Sequence, residues 1–232
     1  MPDDADKIPT VNRDPDKIRR DAAKVGGATR AGGGTVFTEP LLVVNQKAKI
    51  IEINNEYAIF DQNGSQIGAV RQIGQGKARK VLRALTSVDQ FLTTKLEVVD
   101  MQGKTLLALT RPAKLMKSKV IVSDGEGREI GVITQQNVIG KIKFSFDVGG
   151  QSVGSINAEN WRAWNFNIQD ASGTEIARIK KTFEGLAKTM FTTADNYVVS
   201  IPEQLDEPLN SLVVAAALSV DTALKQDSRG LS

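Results

Sequence analysis

Five carboxylates in this chain share one spacing. Asp61, Asp100, Asp124, Asp147 and Asp170 each stand three residues before a glycine, in the phrases Asp61-Gln-Asn-Gly64, Asp100-Met-Gln-Gly103, Asp124-Gly-Glu-Gly127, Asp147-Val-Gly-Gly150 and Asp170-Ala-Ser-Gly173. Acid–base work by carboxylates needs two of them in environments that push their pKa values apart. No pair stands out here, and the spacing has a structural use. Asp at the first position of a type I turn accepts from the backbone ahead of it, and Gly at the fourth supplies the positive φ of a G1 bulge. We read all five as hairpin tips.

The remaining reactive chemistry is sparse. The chain has no histidine and no cysteine, which removes the commonest general base, the commonest nitrogen ligand, disulfides, thiolate metal sites and S-palmitoylation. Gly74-Gln-Gly76-Lys77 lacks the spacing and the strand–helix context of a phosphate loop. We assign no catalytic residue and expect a non-enzyme.

Cations offer the other chemistry. Lys77, Arg79, Lys80 and Arg83 form one cluster, Lys114, Lys117 and Lys119 a second, and Lys180 with Lys181 a third. Each is either a solvated exterior or a contact for an anionic lipid surface, where one Lys or Arg contributes about 1 kcal/mol.

The elements that must position these residues can be read from the same repeat. Six residues past each tip Asp stands an aliphatic residue, Ile67, Leu106, Ile130, Val153 or Ile176, followed by Gly68, Leu107, Gly131, Gly154 or Ala177. Mostly small residues after each aliphatic suit a curved sheet whose backbones run close together. The last four tips are 24, 23 and 23 residues apart, the length of two strands with their connections. That period describes an antiparallel meander. So many strands in an open sheet leave exposed edges, which closure into a barrel removes. The longer gap between the first two tips contains residues 76–94, whose structure the sequence leaves open between a short helix and an extra strand.

Asp206-Glu-Pro208 is a helix start signal, and the segment after it, LNSLVVAAALSVDTAL, is apolar around most of its circumference. At about 1.5 Å per residue it falls short of the hydrocarbon core of a bilayer, and Asp221 is costly in lipid. We therefore expect a helix over about 207–225 that is buried by the barrel, with Leu212, Val213, Ala216, Ala217 and Val220 as its core positions. Trp161 and Trp164, in the run Asn160 to Phe166, are read as core residues.

With 232 residues, 41% apolar and 25% charged, the chain can bury one large core. Residues 1–34 alternate Asp with Lys and Arg and close on Gly32, Gly33 and Gly34, which reads as a flexible charged arm. The barrel domain is expected over 35–226 and a flexible tail over 227–232. The net charge of +3 identifies no nucleic-acid partner.

Taken together, the chain resembles the phospholipid scramblase family in a bacterial-type form, whose fold is shared by the tubby C-terminal domain and the plant LURP-one-related proteins. The resemblance covers about residues 38–226. It rests on the opening LLVVNQKAKIIEINNEYAIFDQNGSQIGAV, on the tips followed by Ile-Gly, and on the junction Phe191-Thr-Thr-Ala-Asp195-Asn196-Tyr197-Val-Val-Ser-Ile201-Pro202. It implies an all-β fold, a closed antiparallel 12-stranded tubby-like barrel around a C-terminal apolar helix. It also implies contact with phospholipids or phosphoinositides through basic residues on the barrel wall.

In animal members of that family the junction is a calcium-binding segment with carboxylates at positions that correspond to Thr193, Asp195 and Gln204. Only Asp195 is a carboxylate here, and hard cations take several oxygen ligands. We expect no cofactor; calcium, if held, would fall to Asp195 and Asn196, which otherwise form a turn.

The expected protein is cytoplasmic and monomeric, with a peripheral site at the inner membrane face and an anionic phospholipid surface or phosphoinositide as partner. Transbilayer phospholipid movement is the family's extension of that role. The rival expectation is a cytoplasmic interaction or ligand-binding scaffold with no membrane role.

Overall fold

Four of the five Asp-x-x-Gly phrases fold alike in the computed structural model of the chain, which describes residues 14–26, 28–46, 57–73, 93–112, 118–137, 142–160, 165–181 and 196–227. In each, one carboxylate oxygen accepts two backbone N–H groups: Asp61 from Asn63 and Ser65, Asp100 from Gln102 and Lys104, Asp124 from Glu126 and Arg128, Asp170 from Ser172 and Thr174, all at 2.8–2.9 Å. The glycines that follow sit at φ between +82° and +88°, a region that costs other residues about 1–2 kcal/mol. A register shift next to each tip marks the bulge.

The fifth phrase is a correction. Asp147 lies within a strand and accepts from Ser145 Oγ at 2.8 Å. The turn beyond it is a two-residue connection in which Gly149 and Gly150 both take positive φ and Val148 pairs with Gln151. The Gly-Gly dipeptide supports the mirror-image turn without a carboxylate.

These turns join twelve strands: β1 (Leu41–Gln46), β2 (Tyr57–Phe60), β3 (Gln66–Ile73), β4 (Thr94–Val99), β5 (Thr105–Arg111), β6 (Lys119–Asp124), β7 (Glu129–Gln135), β8 (Lys143–Val148), β9 (Gln151–Asn160), β10 (Asn165–Asp170), β11 (Glu175–Lys181) and β12 (Asn196–Ser200). Every strand pairs antiparallel with its sequence neighbour, and β1 closes the ring on β12, from Leu41 opposite Ser200 to Asn45 opposite Asn196. The closed 12-stranded barrel is the one the repeat and the family resemblance lead to.

A helix, α2 (Leu209–Asp227), fills the barrel. Leu212 through Leu218 are all buried, so the core positions Leu212, Val213, Ala216 and Ala217 are joined by Val214, Ala215 and Leu218. The side chain of Val220 lies outside the described residues. The helix begins at Leu209, after Asp206-Glu-Pro208 rather than within it, and Glu207 in the preceding turn accepts from the Ser211 N–H at 3.2 Å. The small residues of the repeat make room for α2. A Cβ on Gly131 would lie 2.7 Å from the Asp147 carbonyl and 3.3 Å from a Leu212 methyl, and one on Gly154 would lie 2.6 Å from the Gln169 carbonyl and 3.4 Å from a Leu209 methyl. The repeat aliphatics Ile67, Leu106, Ile130, Val153 and Ile176 pack against the same core.

The N-terminal segment departs from the expected arm. Pro15–Lys24 forms α1, capped by Asp14, whose side chain accepts from the Asp16 N–H, with Pro15 in the first turn. Its apolar residues are few, but Ile18 and Ala22 are buried against Leu41, Val43, Ala58, Phe60 and Val198. These five alternate with the inward residues Leu42, Val44, Tyr57, Ile59, Tyr197 and Val199, so they belong to the outer face of β1, β2 and β12. Residues beyond α1 are anchored too. Thr29 donates to the Pro202 carbonyl at 2.8 Å, Val36 enters the barrel core, and Asn210 and Gln204 both donate to the Phe37 carbonyl at 3.0 Å. Charge alternation mimicked disorder because only two apolar side chains are needed to seat a ten-residue helix on a surface that is already apolar.

Candidate functional site

On β11 the strand alternation that sends Ala177 and Ile179 inward sends Arg178 and Lys180 to the outer wall. Across the β11–β12 pairing, Arg178 stands opposite Ser200 and Lys180 opposite Val198. Val198 is one of the outer residues under α1. A cleft of about 240 Å³ opens here, lined by Val25 at the end of α1, Glu175, Arg178 and Lys180 on β11, and Ser200 and Pro202.

Arg178 is committed within that cleft. Its Nε donates to Glu175 at 2.5 Å, its Nη2 to the same carboxylate, and its Nη1 to Asn165 at 3.0 Å. Glu175 also accepts from Asn167 at 2.6 Å. Among the described residues Lys180 forms no ion pair, which leaves it as the cation available to an incoming anion. Elsewhere on the wall, Arg71 is paired with Glu97 at 2.9 Å and Arg128 with Asp124 at 2.7 Å.

Beside the cleft a polar bracket fastens α1 to the closure seam. Asp21 is 1% exposed. Burial pushes its carboxyl up, but the hydrogen bonds from Asn196, Lys17 and Lys24 outweigh this and hold it below the ordinary carboxylate range. Asn196 donates to Asp21 at 2.6 Å, and the two lysines each lie 3.1 Å from it. Asn45, paired with Asn196 across the seam, donates to the Asn196 carboxamide oxygen. The Asn45 oxygen is itself buried without a partner. The exposed tips differ: the side-chain hydrogen bond from Arg128 lowers Asp124 and that from Ser172 lowers Asp170.

This geometry separates the sequence candidates. Of the nine basic residues, Lys119, Lys180 and Lys181 are described; Lys77, Arg79, Lys80, Arg83, Lys114 and Lys117 lie outside the described residues, as do residues 76–92, Trp161 and Trp164. Lys119 is exposed at the start of β6, five strands from β11, so it does not join the cleft. Lys180 and Lys181, adjacent in sequence, fall on opposite sides of β11. Of the two calcium candidates, Asp195 lies outside the described residues. Asn196 is fully buried in β12 with its carboxamide engaged by Asn45 and Asp21. No group of three or more metal-ligating side chains occurs among the described residues.

The residues that sequence reasoning passed over are Arg178, Glu175, Ser200, Asp21 and Asn45. Arg178 and Lys180 carried a readable signal, since two cations at i and i+2 in a strand share a face. The bracket carried none, because Asp21 and Asn196 are 175 residues apart in the chain.

Three comparisons with known proteins bear on this arrangement. A search of curated proteins returns no match. Among solved structures, one described as an X-ray structure of a protein from Arabidopsis thaliana matches with a TM-score of 0.46 and 14% identity, covering 82% of this chain and 99% of that one. The family model described as Scramblase matches residues 35–224, from the loop that enters the barrel end through nearly all of α2. The chain whose strands close around that helix thus belongs to the scramblase family.

Proposed function

We propose that this scramblase-family barrel is a peripheral phospholipid-associated protein that meets anionic headgroups, phosphoinositides included, at the outer wall of β11 and β12. The observation that carries the reading is the cleft beside Lys180, which forms no ion pair among the described residues, on the wall of a scramblase-family barrel. Charge near an anionic leaflet is worth about 1 kcal/mol per Lys or Arg, so contact through this cleft is weak and salt-sensitive. The apolar helix supports peripheral rather than spanning contact, since α2 is used as the barrel's own core and no described helix is long and apolar enough to cross a membrane. Transbilayer movement of phospholipid is the further activity that the family suggests.

Flotation with phosphatidylcholine vesicles, with and without phosphatidylserine or a phosphoinositide, tests the reading. Binding that requires the anionic lipid and falls between low and moderate salt is expected. Absence of binding at both salt levels overturns it and favours a protein scaffold. A labelled-lipid flip assay in liposomes tests the transbilayer step, which an unchanged flip rate removes.

A further inference from the structure

The outer face of β1, β2 and β12 carries a second apolar cluster, separate from the barrel core. On β5, β7 and β11 buried and partly exposed residues alternate, whereas β2 is buried at all four positions and β12 at four of five. A strand apolar on both faces needs cover on both. Leu41, Val43, Ala58, Phe60 and Val198 form a contiguous outward apolar surface, and among the described residues the strap containing α1 is what lies on it. The cover is slight. Ile18 and Ala22 are its buried apolar side chains, with Val25 and Ala28 at the margin. A ten-residue helix is not stable alone in water, so α1 opens as a local unit well below the barrel's global stability. Gly26, at φ +111° with no neighbour within reach of a Cβ, follows the Val25 C-cap and ends the strap's helix in a conformation suited to glycine.

We infer that α1 is a releasable strap, and that the apolar face it covers is a second, acyl-chain-facing contact with a phospholipid membrane. The inference rests on the phospholipid reading above and adds to it a surface and a means of hiding it. The charge beside this face selects a membrane over other occupants. Lys180 sits directly beside Val198 at the rim of the face, and the cleft at the end of α1 is where the strap leaves that rim uncovered. An apolar centre with the Lys180 ammonium at its edge suits an interface of acyl chains beneath anionic headgroups. The strap keeps five apolar residues from solvent until such a surface replaces it.

The triple substitution Ile18→Asp, Asp21→Ala and Ala22→Asp removes the strap's two apolar anchors and its carboxylate bracket to Asn196 without touching the barrel wall. The full-length variant is expected to bind phosphatidylcholine vesicles at least tenfold more tightly than the unaltered protein, and adding Phe60→Ser is expected to cancel that gain. A strap shown to be released by limited proteolysis, with no gain in vesicle binding, overturns the inference. If the unaltered protein still binds phosphatidylserine vesicles in that case, the phospholipid reading stands by itself. If neither protein binds any vesicle, both fall. Dimerisation of the released variant without vesicle binding overturns the membrane assignment in favour of a second copy. A measurement on the unaltered protein guards against misfolding of the variant. Hydrogen exchange at 15–24 should speed up when phosphatidylserine vesicles are added, and unchanged or slower exchange overturns the inference.

Discussion

Asn196 on β12 donates to the buried carboxylate of Asp21 on α1 at 2.6 Å, across 175 residues of chain. A residue that family resemblance would place beside a cation is instead the link between the closure seam and the helix strapped over it. Replacing Asn196 by Ala leaves Asp21 with its two lysines but without its neutral donor, and deprives Asn45 of its acceptor. Hydrogen bonds to charged groups contribute about 1.5–3 kcal/mol. Loss of stability in that range is expected by denaturant unfolding, together with earlier proteolytic cutting within residues 14–26.

The same bracket sets a pH dependence. Because the folded state lowers the Asp21 pKa, it contributes stability that is fully present above the ordinary aspartate value of about 3.9. That stability is lost as pH falls through the depressed folded value. Protection of the α1 amides against hydrogen exchange, corrected for the intrinsic rate, should therefore be constant from neutral pH down to about 4 and fall below that, ahead of the barrel strands. Asp21→Asn should flatten this acid response. An unchanged response in that variant would assign it to other carboxylates.

Tip chemistry predicts a contrast between two aspartates that look alike in sequence. Asp100→Ala removes two backbone hydrogen bonds at a turn and is expected to cost about 1–2 kcal/mol, comparable to loss of a helix cap. Asp147→Ala removes an acceptor for Ser145 beside a turn already formed by Gly149 and Gly150, so its cost should be smaller, about 0.5–1 kcal/mol. Equal costs measured by urea denaturation would contradict the distinction.

Inside the barrel, Ala217 is fully buried on α2. Ala217→Asp places a charge there with no designed partner and should destabilise by several kcal/mol. Gly131→Ala tests fit rather than polarity. Its Cβ would stand 2.7 Å from the Asp147 carbonyl, and overpacking of this kind costs about 1–3 kcal/mol. Unchanged melting of both variants would mean that the helix is not the core.

At the cleft, Lys180→Ala should weaken binding to phosphatidylserine vesicles by about fivefold, the equivalent of roughly 1 kcal/mol. Lys119→Ala, five strands away, should change it less. Equal effects would argue for diffuse attraction by the whole wall.

How much could be read in advance follows from the range of each interaction. Asp61, Asp100, Asp124 and Asp170 act on backbone two and four residues ahead, so their role is written in a few consecutive letters. The aliphatic residue and the small residue after most tips, and the run LVVAAAL in α2, are equally local, and together they lead to a closed barrel with an apolar centre. The two-sided burial of the seam was present in LLVV, YAIF and YVVS, continuous apolar runs that an alternating strand does not need. What covers them was not legible, because Ile18 and Ala22 give α1 too little apolar surface to stand out from a charged stretch. The cleft was half legible. The Arg178 and Lys180 pair is a local pattern, whereas the commitment of Arg178 to Glu175 and Asn165, and the adjacency of Val25, depend on register and closure.

The placement of α2 after every strand has a consequence for how the chain is made. A barrel whose lumen is filled by its own final element has nothing to close around while the ribosome is still delivering it. The inward residues of β1 through β12 must wait, as a curled and unfilled sheet, until Leu209–Asp227 emerges. Vectorial synthesis thus delays commitment to the native state until α2 has emerged, and a ribosome stalled before residue 209 should hold a protease-sensitive sheet rather than a smaller stable domain.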